Sequence, residues 1–283
     1  MNIKKEKGML LLSMVIFGTI GLLRRHIPCS SGFLALVRAV IGAVFLLLVL
    51  LIKKQKPDAA AIRNNSLFLL LSGAALGFNW IFLFEAYNHT SVATATLCYY
   101  LAPILVILLS PLVLNEKLTG RKLLCALTAL VGMVLVSGVA DSGLGGIRGI
   151  CCGLAAAVLY AAVMVLNQKM DHIGAYDKTI AQLFLAAMVL APYVLMTREQ
   201  GAVTVSVRII LLLLTAGIFH TGVAYWLYFG AMGALKAQTV ALYSYLDPIL
   251  AILLSLAVLK EPMTPTAALG AVMILGAAFF CER

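Results

Sequence analysis

Charge is what this sequence has least of. Only 11% of its 283 residues are charged, whereas 63% are hydrophobic and the mean hydropathy is +1.06. Soluble proteins run to about 25% charged and about 45–50% apolar residues, so a soluble fold is excluded by the shortage of polar groups to cover its surface. Alternation of apolar and polar residues is missing too, which excludes membrane-spanning strands. Enzyme motifs are absent: there is no HExxH helix, no GxSxG elbow, and Asp247 stands without a second deep aspartate to pair with. No GxxxxGK[ST] loop is present, which removes ATP as a direct driver. The six cysteines, Cys29, Cys98, Cys125, Cys151, Cys152 and Cys281, show neither CxxC nor Cys/His spacing, so they are expected as small buried hydrophobes. No metal and no cofactor is expected.

What the sequence has is apolar runs. About 20 apolar residues in a helix cross the roughly 30 Å hydrocarbon core, and such runs recur at Met9–Ile27, Ser31–Ile52, Ser66–Tyr87, Thr90–Leu114, Arg121–Ala140, Gly149–Gln168, Tyr176–Thr197, Val207–Ala231, Ala237–Leu259 and Thr264–Cys281. Only helices satisfy every backbone group within such a run. The expectation is an all-α integral membrane protein of ten transmembrane helices, with connections too short for a soluble domain. The first run follows Lys4, Lys5 and Lys7 like a signal peptide, but no small-x-small site follows it and Arg24 and Arg25 stand where one belongs. It is read as a retained span.

The net charge of +10 does not point to nucleic acid, because the basic residues fall in the connections. With the N-terminus inside, fourteen lie on the inner side and six on the outer. The positive-inside rule then places both termini in the cytoplasm of a multi-pass protein of the cytoplasmic (plasma) membrane. The partners are the lipid bilayer and a small solute, and oligomeric state is not legible.

The chain also repeats itself. Leu101-Ala102-Pro103-Ile104-Leu105-Val106-Ile107-Leu108-Leu109-Ser110 matches Leu246-Asp247-Pro248-Ile249-Leu250-Ala251-Ile252-Leu253-Leu254-Ser255, and Leu114-Asn115-Glu116 matches Leu259-Lys260-Glu261, all at an offset of 145 residues. Phe84 and Ala86 fall on Phe229 and Ala231 at the same offset. The chain reads as five helices written twice, over residues 1–140 and 149–283. Five being odd, the second copy enters from the opposite face, which gives inverted repeats with a solute site near the midplane between them.

The motifs Phe17-Gly18, Arg38, Phe84-Glu85-Ala86-Tyr87, Thr90-Ser91-Val92-Ala93 leading to Pro103, and Leu114-Asn115-Glu116-Lys117-Leu118-Thr119 resemble those of the EamA-type carriers of the drug/metabolite transporter superfamily. Gln238-Thr239-Val240-Ala241 leading to Pro248, and Leu259-Lys260-Glu261-Pro262-Met263-Thr264, repeat them. The resemblance spans nearly the whole chain, although Phe17 stands where a Trp is common. It implies a ten-helix carrier, without naming a solute.

Three charges lie within spans: Glu85 at roughly 5 Å, Arg38 at roughly 10 Å and Asp247 at roughly 15 Å from the outer ends, at about 1.5 Å per residue. Their repeat counterparts are Gly230, Gln182 and Ala102, so a shared scaffold requires none of them. Arg38 and Glu85 read either as an ion pair or as a substrate anchor with its release partner. Asp247, on one stripe with Thr239 and Tyr243, is the first proton-coupling candidate, ahead of Glu85 and His220. Pro103 and Pro248 are hinge candidates at matched positions. Asn79, Trp80, Tyr99, Tyr100, Tyr243 and Tyr245 lie inside spans and not at their interfacial ends, and read as lining for a solute site or as packing. Gly73-x-x-x-Gly77 and Gly149-x-x-x-Gly153 are expected to serve internal packing. The function expected is non-ATP transport, most simply export of metabolites such as amino acids or amphipathic compounds. A channel or an intramembrane enzyme is the alternative.

Overall fold

A computed structural model describes residues 3–113, 119–136, 146–197, 206–232, 235, 243–244 and 246–281. Among these there is helix and no strand. The helices are α1 (Ile3–Gly18), α2 (Ile20–Arg25), α3 (Ser31–Ile52), α4 (Ala59–Asn64), α5 (Ser66–His89), α6 (Val92–Tyr99), α7 (Ala102–Val113), α8 (Gly120–Val136), α9 (Ile147–Gln168), α10 (Ala175–Thr197), α11 (Val207–Gly217), α12 (Ala224–Met232), α13 (Leu246–Ala257) and α14 (Pro265–Cys281), with a π-helical segment, Ile218–Val223, joining α11 to α12.

Among the described residues, seven helical stretches are long and apolar enough to cross a membrane: Lys4–Arg25, Ser31–Ile52, Ser66–His89, Val92–Leu109, Ile147–Gln168, Ala175–Met196 and Val207–Ala231. The helices α8, α13 and α14 are shorter, at 17, 12 and 17 described residues. Helix α4 was not expected from the sequence. Asp58 starts it, its Oδ1 accepting from the Ala61 amide at 3.0 Å.

The bundle is built for lipid. Large apolar side chains such as Leu51, Leu124, Met196 and Val272 point outward. Ser13, Ser72, Asn79, Thr96, Gln182 and Thr221 are buried inside. In hydrocarbon, apolar surface gains nothing by hiding, so small and polar residues are what draw helices together. Gly73 and Gly77 lie against Leu185 and Leu190 of α10, and Gly153 against Cys98 of α6, so these spacings do serve contacts within the chain. At α8 and α14 backbone meets backbone from both sides: a Cβ on Gly132 would come 2.8 Å from the Gly270 carbonyl, and one on Gly270 would meet the Gly132 carbonyl.

Helix neighbours follow a pattern. Helix α5 packs on α9 and α10, while the α11–α12 stretch packs on α1 and α3. Helix α13 packs on α1, as α6 and α7 pack on α9. The pairs α3–α10, α6–α13 and α8–α14 join like-numbered helices of the two halves. Exchanging the halves leaves these pairings unchanged.

Candidate functional site

Interruptions in the helices position the central groups. Thr19 breaks the first span between α1 and α2, its Oγ1 donating to the Ile16 carbonyl at 2.8 Å. The fourth span breaks at Tyr100 and Leu101, where the Leu101 amide turns back to Cys98 O at 3.2 Å. Pro103, two residues on, has no N–H to give to the Tyr99 carbonyl, so the ladder cannot run through. Pro248 likewise sits in the first turn of α13, one residue after Asp247. Both proline positions therefore start helices instead of kinking them mid-course.

Arg38 lies on the buried face of α3 and is 5% exposed. Its Nε donates to Thr221 Oγ1 at 3.1 Å and one terminal nitrogen to the His220 carbonyl at 3.4 Å. Both acceptors belong to the π-helical segment, where one extra residue per turn displaces the carbonyls from their usual ladder. The guanidinium stands 4.4 Å from the Trp80 ring centre and 5.3 Å from that of Phe84. A desolvated cation–π contact contributes about 2 kcal/mol, which offsets much of the about 2.5–3.5 kcal/mol that a charge costs at this depth on insertion scales. Arg38 and Glu85 are not an ion pair. Glu85 accepts instead from Ser31 Oγ at 2.5 Å and from Asn88 at 3.3 Å, and lies 3.3 Å from His89 Nε2. Ser31 is seven residues from Arg38, about two helical turns.

His220 does not join Asp247 either, although its span is next in sequence. Its Nε2 lies 3.0 Å from Thr19 Oγ1. Its Nδ1 lies 3.4 Å from the Thr215 carbonyl. Asp247 accepts from the Tyr100 hydroxyl at 2.6 Å, a bond joining the start of α13 to the break in the fourth span. Gly18 makes room for this junction, because a Cβ there would lie 2.8 Å from the Asp247 carbonyl.

An aromatic cluster joins the surroundings of Arg38 to those of Asp247. Tyr87 lies in the same buried cluster as Trp80 and Phe84, whose rings face Arg38, and Tyr99 packs against that cluster beside Tyr100, the residue that donates to Asp247. Tyr99 stacks on Tyr160 of α9 with centroids 5.0 Å apart and meets Tyr100 edge-on at 5.9 Å. On α12, Tyr225 lies 5.5 Å from Phe17 and stacks on Phe229 at 5.7 Å. Phe17, Thr19, Tyr87 and Tyr160 are not among the site residues that the sequence alone points to. Aromatic residues in the midst of aliphatic runs were the available signal for Phe17 and Tyr160; Thr19 carried none.

Other marked residues lie elsewhere. Asn79 is fully buried and donates to the Ala156 carbonyl at 2.5 Å, tying α5 to α9. Tyr243 packs beside Leu10, Met14 and Ala231. Tyr245 and Thr239 lie outside the described residues. Among the described residues no cluster of His, Cys, Asp or Glu could hold a metal ion.

The model of the EamA-like transporter family matches twice, over residues 6–138 and 147–282. This chain belongs to the EamA-like transporter family. It is therefore a multi-pass membrane transporter of small molecules. It is 31% identical over 250 residues to "Uncharacterized transporter YxxF" of Bacillus subtilis (strain 168), covering 87% of this chain and 79% of that one. "Protein PecM" of Dickeya dadantii (strain 3937) is 24% identical over 262 residues, with 89% and 84% covered. A solved crystal structure matches with a TM-score of 0.69 at 18% identity, covering 98% of this chain and 96% of that one, a likeness of fold alone.

Proposed function

We propose that this transporter is a secondary carrier working by alternating access, built of two inverted five-helix repeats that supply ten spans, and that it exports small organic metabolites such as amino acids or amphipathic compounds. One observation carries the reading. Arg38 of the first half, buried, and Asp247 of the second, half-buried, lie at the two ends of one aromatic cluster and each bonds only to uncharged groups among the described residues, so each is available to a charged group of a solute. The contact pattern that survives exchange of the halves supports the repeat, and the helix breaks at Thr19 and Tyr100 are of the kind that surrounds solute sites in inverted-repeat carriers.

Asp247 links proton and solute movement in this reading. It would hold its proton or its solute according to which side the site faces, and Tyr100 keeps its carboxylate aimed between the halves. The test is transport in sealed vesicles, with solutes first chosen by the thermal stabilisation they give the purified protein. A carrier exchanges labelled for unlabelled solute and accumulates label by counterflow, whereas an open channel does not. Asp247→Asn still accepts from Tyr100 but cannot titrate, so it should keep exchange and lose accumulation driven by a pH gradient. An Asn variant that still concentrates solute under the gradient removes Asp247 from the coupling, and absence of counterflow in the parent removes the carrier.

A further inference from the structure

At one end of the bundle the tip of α2, the start of α6 and the turn after α13 are held by a single carboxylate. The turn aims it. Lys260 takes a left-handed conformation with φ 54°, and the Glu261 amide folds back over the helix end to the Ser255 carbonyl at 3.0 Å. Glu261 thereby sits over the end of its own helix, with Oε2 accepting from Ser255 Oγ at 2.6 Å. The same Oε2 accepts from the Val92 amide at 2.8 Å, the first residue of α6, where a helix N-terminus favours negative charge. Oε1 accepts from Arg25 at 2.5 Å, and Arg25 also donates to the Thr90 carbonyl at 2.9 Å. Arg25 and Val92 belong to the first half of the chain, Ser255 and Glu261 to the second.

We propose that Glu261 and Arg25 form a clasp that shuts this face of the transporter and comes apart whenever the face opens. The proposal rests on the alternating-access reading above. A part-exposed ion pair is weak enough to open in every cycle, the two side chains being 31% and 16% exposed. The backbone amide and the serine hydroxyl on the same carboxylate make closure cooperative and fix its geometry.

The clasp is testable without transport. Ala251, one turn deeper on α13, is 3% exposed and belongs to the same buried cluster as Val92 and Ala95. In a background with the native cysteines replaced, Ala251→Cys reports access when a membrane-impermeant maleimide is added to one side of sealed vesicles at a time. Arg25→Gln and Glu261→Gln should each speed labelling from the clasp face about three- to tenfold, with no rise from the other face. Arg25→Lys keeps the charge and should stay within about twofold of the parent. Unchanged labelling in both neutralised variants, or an equal rise from both faces, overturns the clasp. Counterflow in the same vesicles is read separately: its absence in the parent counts against alternating access, while the one-sided labelling still decides whether the pair closes that face.

Discussion

Arg38 keeps a charge inside the bundle with no carboxylate of the described residues against it, held by a threonine, a carbonyl and two aromatic faces. Each of those contacts uses the planar fork or its flat face, which an ammonium lacks. Arg38→Lys should therefore insert and fold but weaken transport about tenfold or more, and Arg38→Gln should weaken it further, because no positive group is left to meet a solute anion. Initial rates of solute exchange check this. If both variants exchange like the parent, Arg38 is packing alone. Little of this geometry was legible beforehand: an arginine within an apolar run announces itself, but its partner Thr221 lies 183 residues away. Of the two readings of Arg38 and Glu85, the ion pair is not formed, because that carboxylate is satisfied near its own helix end by Ser31 and Asn88, with His89 beside it.

Helices were easier to read than their interruptions. Continuous apolar runs leave the backbone no partner but itself, so the helical spans follow from hydrophobicity alone. The π-helical segment and the break at Thr19 do not, since they depend on neighbours that accept the displaced groups. Close packing is likewise a property of pairs of helices. At α8 and α14 the reciprocal contact of Gly132 with Gly270 leaves no volume for a side chain. Gly270→Leu should thus lower stability by about 1–3 kcal/mol, seen as a lower unfolding midpoint of the purified protein. Gly276→Ala is the control on the same helix, because nothing lies within 4 Å of the added Cβ. It should leave the midpoint unchanged or raise it by about 0.5–1 kcal/mol, through the lower helix propensity of glycine. Equal losses in the two variants would contradict the packing account.

For the whole molecule, the distribution of basic residues makes a prediction about sidedness. A reporter fused after Arg283 should be cytoplasmic, and one inserted near Ser142 should lie across the membrane, because an odd number of spans separates them. Both reporters on one side would reject the inverted arrangement together with the charge argument. The amino-acid sequence by itself determined that this chain is helical, membrane-embedded and a member of the EamA-like transporters, since hydrophobicity, backbone satisfaction in lipid and local motifs are properties of contiguous residues. Only the tertiary structure decided which polar groups meet: Arg38 with Thr221, Asp247 with Tyr100, Glu261 with Arg25. Such meetings depend on how each helix is rotated and where it breaks, which small-residue contacts such as Gly18 against the Asp247 carbonyl set between segments distant in the chain.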